Sequence, residues 1–316
     1  MLADLGWILL GIVCLWAGAE GLVGGAANLA LRFRIAPRVV GLTVVGFGTS
    51  LPELLVSVRA AFAAPPAPDL AVGNAVGSNI ANICLILALA ALIRPMLVAP
   101  VTLRRDLPVA LGFGLLLLAF LVFDGTGGRV IARWEGALLL AGLVAFVGWS
   151  IRTGRLADDD EVPPLRPRAI GVDVVLLLAG LGFLMVGADR LVLGATSIAR
   201  ALEISERVIG VTVVAVGTSL PELATTVVAA ARGQSEIGLG NVLGSNVFNV
   251  GGIVGITALC TPLPVAPGFL RLDIPLMLGA TLVLFPYLRS GWRLSRREGA
   301  VLLAVYVGYT VWLFAS

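Results

Sequence analysis

The chain has 316 residues, of which 59% are hydrophobic and 13% are charged, and its formal net charge is +3. Soluble domains are roughly half apolar and a quarter charged, so this composition excludes an ordinary soluble domain and predicts a membrane protein with several spans. The sequence contains no histidine, which removes the usual zinc ligand and the usual acid or base near neutral pH. The small positive charge is explained better by membrane topology than by a nucleic-acid partner, and no resident cofactor is expected.

Ten apolar segments are long enough to cross the hydrocarbon core of a lipid bilayer, which needs about 20 residues of helix. The chain is therefore predicted to be an all-α membrane protein with ten transmembrane helices. Turns rich in proline or glycine separate most of the segments. The predicted spans cover residues 5–31, 38–62, 70–93, 104–123, 132–151, 170–200, 207–231, 237–260, 270–288 and 297–315.

The longest polar stretch runs from Arg152 to Arg168 and contains four consecutive acidic residues. It predicts a solvated linker over 154–168 between two halves. Fifteen arginines flank the predicted spans on the face that holds this linker, and five flank them on the other face. We expect a multi-pass protein of the cell membrane, which is the inner membrane in a cell with two membranes. Because positive charge favours the cytoplasmic side, the linker is predicted to be cytoplasmic and both termini to lie on the outer side.

Two motifs occur once in each half. Residues 41–54 match residues 210–223 at eleven of fourteen positions, and residues 73–82 match residues 240–249 at six of ten. Further matches outside the motifs extend the duplication to five spans in each half. Since five is odd, the second half enters the membrane from the opposite side, as in the inverted repeats of secondary transporters. The predicted repeats cover 1–153 and 169–316.

The first motif places an acid, two hydroxyls and a proline inside a membrane helix. Pro52 has no N–H, so the carbonyl of Gly48 loses its helical partner and the helix is expected to kink. Thr49, Ser50 and Glu53 share one helix face. Such features often have only a packing role when they occur singly. Their recurrence in the second half, at the residues Thr218, Ser219, Pro221 and Glu222, favours a cation site.

The second motif adds Ser78 and Asn82, four residues apart in the third span, and Ser245 and Asn249 in the eighth. Asn79 and Asn246 are interpreted as residues that cap or bridge helices. Hydroxyl, amide, carbonyl and carboxylate oxygens suit hard cations such as Ca²⁺. The two glutamates carry −2, which one Ca²⁺ or two Na⁺ would neutralise. A protein whose site is empty and carries −2 should resist the conformational change that moves the site between the two sides of the membrane. This resistance is the condition for obligatory exchange.

These motifs resemble the alpha-repeats of the sodium/calcium exchangers, a family of the cation/Ca²⁺ exchanger superfamily. The GTSLPE form lies in spans two and seven and the GSNxxN form in spans three and eight, within regions 41–82 and 210–249. The resemblance covers essentially the whole chain. The proton-coupled branch of the superfamily has a GNxxE pattern and fits less well.

The resemblance implies a sliding pair of gating helices, spans one and six, beside a central cluster of cation sites. It implies that a Ca²⁺ site uses Glu53 and Glu222 with Thr49 and Thr218 nearby, and that Asn82 and Asn249 complete the centre. It further implies Na⁺ sites formed by Ser50, Ser78, Ser219, Ser245 and the carbonyls near Gly46 and Ala215. Several members have aspartate where this chain has Asn249, and asparagine there fits a potassium-independent exchanger.

The predicted function is therefore secondary active antiport of Na⁺ against Ca²⁺ by alternating access, without enzymatic activity. A Ca²⁺/H⁺ exchanger is the first alternative, in which only the glutamates could carry protons. A non-transporting membrane enzyme or scaffold is the second, although no catalytic constellation of the usual kinds occurs in the sequence. A passive channel is the third, and a counter-ion requirement for flux would exclude it.

Overall fold

A computed structural model describes residues 2–62, 68–123, 129–154, 168–203 and 215–315. Within these ranges every regular element is a helix apart from four strands of two residues each, so the predicted all-α class is confirmed. Residues 155–167 of the predicted linker lie outside the described residues, and so do residues 207–214 of the predicted seventh span.

The described helices agree closely with the predicted spans in position. They are α1 (Leu2–Arg32), α2 (Pro37–Thr49), α3 (Leu51–Ala61), α4 (68–93), α5 (Thr102–Val122), α6 (Arg133–Thr153), α7 (Ile170–Ala201), α8 (Ala215–Thr218), α9 (Leu220–Ala231), α10 (Ser235–Cys260), α11 (Phe269–Arg289) and α12 (Arg296–Ala315). The strands are β1 (Met96–Leu97), β2 (Val130–Ile131), β3 (Leu263–Pro264) and β4 (Arg293–Leu294).

Among the described residues, seven helices are long and apolar enough to cross a membrane, and the bent pair α2 and α3 brings the number to eight. Helix α9 is a shorter apolar helix. The chain is a multi-pass membrane protein, while the count of ten spans stays a prediction.

Helices α10 and α4 lie at the centre of the molecule. In their most apolar stretches, 89% of α10 and 72% of α4 are buried, against 28% for α7 and 33% for α6. A helix buried on every side has no face toward lipid. Polar side chains on α4 and α10 therefore contact other helices, which makes these two helices suited to hold a polar site.

Irregular features recur between the two halves. A π-helical turn over 82–87 in α4 corresponds to one over 249–254 in α10, and the turn over 102–106 in α5 corresponds to 269–273 in α11. Both pairs are separated by 167 positions, the offset of the second sequence motif. Strand β1 pairs with β4 and β2 pairs with β3, so each two-stranded ladder joins one half of the chain to the other.

Helices α1 and α7 pack against each other in antiparallel directions. Gly11 of α1 lies against Gly187 of α7, and Gly18 lies against Gly180. The contact is so close that a Cβ atom added to Gly180 would lie 2.6 Å from the backbone nitrogen of Leu22. Small residues at such positions let membrane helices approach closely, and these glycines line a close α1–α7 contact.

Candidate cation site

Each copy of the first motif interrupts a helix at its serine. Ser50 has φ −87° and ψ 8°, and Ser219 has φ −90° and ψ 7°, so neither residue continues the helix before it. Pro52 and Pro221 lie in the first turn of the helix that follows, where a missing N–H is tolerated. The bend between α2 and α3 is 44°, which confirms the predicted kink. The break also leaves a glutamate in the first turn of α3 and of α9, where the helix dipole favours negative charge.

Each of these glutamates accepts a hydrogen bond from the serine of the opposite half. The Ser50 hydroxyl donates to Glu222 Oε1 at 2.8 Å, and the Ser219 hydroxyl donates to Glu53 Oε1 at 3.3 Å. All four side chains are buried, and both glutamates are 1% exposed. The structure thus brings the two copies of the motif side by side.

The serines of the second motif lie against the first motif. The Ser78 and Ser219 hydroxyl oxygens are 3.4 Å apart. The Ser245 hydroxyl donates to the backbone carbonyl of Gly46 at 3.2 Å and lies 3.5 Å from Glu222 Oε1. Ser78 and Ser245 are both buried. A hydroxyl, a backbone carbonyl and a carboxylate therefore converge within hydrogen-bonding distance around Ser245.

Asn82 and Asn249 lie one helical turn beyond these serines, each as the first residue of a π-helical turn. The Asn82 amide donates to Asn246 Oδ1 at 2.9 Å, and the Asn249 amide donates to Asn79 Oδ1 at 2.9 Å. The interpretation of Asn79 and Asn246 as bridging residues is confirmed, and the bridges cross between the two halves of the chain.

Four buried oxygens of the predicted site residues lack a hydrogen-bond partner among the described residues. They are Oε2 of Glu53 and of Glu222, and Oδ1 of Asn82 and of Asn249. No arginine forms an ion pair with either glutamate in the part of the chain that the structure describes. Burying an unpaired carboxylate is very costly unless a proton or a cation compensates it. These oxygens are therefore the atoms that a cation would satisfy.

The remaining predicted residues, Thr49, Thr218 and Ala215, have fewer described contacts with the candidate site. The Thr49 hydroxyl lies within hydrogen-bonding distance of the Gly46 carbonyl at 3.3 Å and of Asn241 Oδ1 at 3.2 Å. Thr218 ends the short helix α8 and is partly buried. Ala215 is the first residue of the same helix, and residues 204–214 before it lie outside the described residues.

Asn74 and Asn241 belong to the site region but received no role from the sequence. The Asn74 amide donates to the backbone carbonyl of Glu53 and to the Ser57 hydroxyl, both at 3.0 Å. The Asn241 amide is 3.4 Å from the backbone carbonyl of Glu222 and 2.9 Å from the Thr226 hydroxyl. Both asparagines occupy equivalent positions in the second motif. These matching positions could have marked both asparagines as part of the repeat. They show only that the spacing is the same in both halves, and they do not predict which groups the side chains contact.

The chemistry of the donors suits a hard cation. Within the described residues, no three His, Cys, Asp or Glu side chains come together, so the charge of the site is limited to two carboxylates. The other candidate ligands are neutral oxygens of serine, threonine, asparagine and the backbone. Ca²⁺ takes about 6 to 8 such oxygens in flexible geometry, whereas zinc and copper favour thiolate and imidazole.

Comparison with known proteins addresses the family of the chain. The family model described as "Sodium/calcium exchanger protein" matches residues 4–152 and 172–315. The chain is 36% identical to the inner membrane protein YrbG of Escherichia coli over 99% of this chain and 96% of that protein. It is 33% identical to the sodium/calcium exchanger MaX1 of Methanosarcina acetivorans over 97% of each.

The fold is also similar to a solved structure of the sodium-calcium exchanger NCX_Mj soaked with zero Na⁺ and Ca²⁺. The two share 33% sequence identity and a TM-score of 0.85, over 99% of each chain. The family match spans both motifs and nearly all of the described helices. The chain therefore belongs to the sodium/calcium exchanger family.

Proposed function

We propose that this protein exchanges Na⁺ for Ca²⁺ across the membrane by alternating access. The family is one of cation/Ca²⁺ antiporters and not of enzymes. The observation that carries the sodium/calcium proposal is the pair of buried carboxylates, Glu53 and Glu222, which have unpartnered oxygens and no paired arginine among the described residues.

Charge explains why such a site would exchange ions. With two carboxylates the site carries −2 when empty, and one Ca²⁺ or two Na⁺ would neutralise it. A net charge at the centre of a bilayer costs on the order of 3 kcal/mol or more. The loaded protein would therefore change conformation far more readily than the empty one, and movement of one ion would depend on the return of the other.

The architecture that we propose for this cycle has ten spans in two inverted repeats, 1–153 and 169–316, joined by a cytoplasmic linker over 154–168. The recurring π-helical turns and the crosswise strand pairs support the duplication. The bond between Ser50 and Glu222 supports a site at the interface of the repeats. The closely packed helices α1 and α7 would move together against this core.

The test is flux in proteoliposomes. An outward Na⁺ gradient is expected to drive ⁴⁵Ca²⁺ uptake, and Glu53→Gln or Glu222→Gln should abolish it. The matched control is Glu203→Gln, because Glu203 is exposed at the end of α7. Uptake that ignores Na⁺ and follows a pH gradient would replace this proposal with a Ca²⁺/H⁺ exchanger. Ca²⁺ binding without flux would favour a non-transporting membrane protein.

The proposed topology has its own test. Alkaline phosphatase is active outside the inner membrane and green fluorescent protein fluoresces inside it. Fusion of each reporter after Ser316 should give phosphatase activity and no fluorescence, and insertion within residues 155–167 should give the reverse. The opposite pattern would invert the proposed orientation without affecting the proposed exchange.

A further inference from the structure

The hydrogen bonds of Asn79 determine which end of another amide faces the candidate site. Its Nδ2 donates to the backbone carbonyl of Asn246 at 3.2 Å. A carbonyl can only accept, so this bond fixes the amide of Asn79 and leaves its Oδ1 as an acceptor. That oxygen accepts the hydrogen bond from Asn249 Nδ2 at 2.9 Å. Asn79 and Asn249 are both buried.

The consequence for Asn249 is a fixed orientation. A primary amide has a donor end and an acceptor end, and the donor end of Asn249 is occupied by Asn79. Its Oδ1 is therefore turned away from Asn79, and it is one of the buried oxygens without a partner among the described residues. A reversed amide would bring two oxygens together at Asn79 and would present an N–H group where a cation needs an oxygen.

The pairing of two amides, although not the bond to a backbone carbonyl, recurs in the other half. Asn246 Oδ1 accepts from Asn82 Nδ2 at 2.9 Å, and Asn82 Oδ1 is likewise buried without a partner among the described residues. Each pair joins α4 to α10, so each half of the chain orients an oxygen that belongs to the other half.

We propose that Asn79 and Asn246 are positioning residues of the cation site, which turn the amide oxygens of Asn249 and Asn82 toward the ions. The proposal rests on the proposed exchange function. It differs from a purely structural bridge between α4 and α10, because loss of such a bridge would lower the unfolding temperature without ions and leave the half-saturating ion concentration unchanged.

A double-mutant comparison separates these roles. Asn79→Ala is made in the natural chain and in the Asn249→Asp variant, where the two carboxylate oxygens are equivalent and no donor is left for Asn79 Oδ1 to accept from. The purified proteins are titrated with Ca²⁺ and, separately, with Na⁺. The measurement is the ion concentration that gives half of the maximal rise in unfolding temperature.

Loss of an outer hydrogen bond to a ligand typically weakens metal binding by about 10- to 100-fold. We expect a weakening of that size from Asn79→Ala in the natural chain and less than about threefold in the Asn249→Asp background. Asn246→Ala is the matched control. It acts on Asn82, which is unchanged, and should weaken binding in both backgrounds.

Equal weakening by Asn79→Ala in both backgrounds would overturn the proposal, and so would failure of both proteins to fold. Folding and ion binding of the double variant when the single variant is unfolded would support it, because a lost bridge could not be restored by a change at position 249. If neither ion stabilises the natural protein, the proposed function fails and this proposal fails with it. If the ions bind and the effect of Asn79→Ala does not depend on the residue at position 249, only this proposal fails.

Discussion

The hydroxyl of Ser50 donates a hydrogen bond to the carboxylate of Glu222 at 2.8 Å, although the two residues are 172 positions apart. The reciprocal bond from Ser219 to Glu53 is longer, at 3.3 Å. Each serine marks the break in its own helix and binds the acid that follows the break in the other half. The two helix breaks are thus parts of one site, and changes on one side are expected to affect ligands on both.

Removal of the Ser50 hydroxyl is expected to weaken Ca²⁺ binding. The bond from this hydroxyl holds the Glu222 carboxylate in place, and loss of an outer hydrogen bond to a ligand typically weakens metal binding by about 10- to 100-fold, so Ser50→Ala should raise the half-saturating Ca²⁺ concentration roughly tenfold or more. Ser219→Ala should have the smaller effect, because its bond to Glu53 is longer. The measurement is Na⁺-driven ⁴⁵Ca²⁺ uptake as a function of Ca²⁺ concentration.

Ser290→Ala serves as the control for both serine variants, since Ser290 is exposed at the end of α11. Equal affinity in Ser50→Ala and the unchanged protein would contradict a role of this hydroxyl in the site.

Neutralising one glutamate should make the ion-free protein more stable while removing its response to ions. In Glu222→Gln the buried like charges are reduced from two to one, and an uncompensated buried charge is destabilising. We expect the free energy of unfolding without ions to rise by on the order of 1 to 3 kcal/mol. Unfolding in EGTA with choline in place of Na⁺ measures this change.

The unchanged protein should in contrast gain about 2.7 kcal/mol when Ca²⁺ is present at a hundred times its dissociation constant. A Glu222→Gln protein that is still stabilised by Ca²⁺ to that extent would show that the carboxylate is not a ligand.

Packing of α1 against α7 is expected to tolerate no side chain at Gly180. The added Cβ of Gly180→Ala would lie 2.6 Å from Leu22 N and 2.8 Å from the carbonyl oxygen of Gly18, and overpacking of this kind costs about 1–3 kcal/mol. The midpoint of thermal unfolding should fall and exchange should slow.

Gly182→Ala is the matched control on the same helix, because a Cβ there meets no atom within 4 Å. If Gly180→Ala and Gly182→Ala lower the unfolding midpoint and the exchange rate to a similar extent, the cause lies in helix α7 in general and not in its contact with α1.

Loss of the Asn241 side chain is expected to disturb the candidate site through the residues that Asn241 contacts. Its amide contacts the Glu222 carbonyl and the Thr226 hydroxyl, and its oxygen lies 3.2 Å from the Thr49 hydroxyl. Because buried groups left without partners cost about 1–3 kcal/mol, Asn241→Ala should lower the free energy of unfolding by that amount and weaken Ca²⁺ binding. Thr226→Val, which removes only one of these contacts, should have the smaller effect. Equal effects of Asn241→Ala and Thr226→Val would show that the contact with the Thr226 hydroxyl alone accounts for the role of Asn241.

Much of the site could be predicted because its residue types are costly in a membrane. Glu53 and Pro52 interrupt an apolar segment, and their recurrence at Glu222 and Pro221 indicated both halves of the candidate site. The kink was predictable from the missing N–H of proline alone. The contacts of Asn74 and Asn241 were not, because an asparagine in a helix can bond a carbonyl, a hydroxyl or another amide, and spacing does not distinguish these partners.

The sequence by itself determined the membrane class, the positions of the helices and the pairing of the two motifs, since hydropathy and helical periodicity depend on local composition. Only the tertiary structure decided that Ser50 bonds Glu222 instead of an acid of its own helix. It also decided that Asn79 and Asn246 accept hydrogen bonds from amides of the opposite half. Those relationships depend on how α4 and α10 face each other at the centre of the bundle, and hydrogen-bond direction is fixed only when both partners are in place.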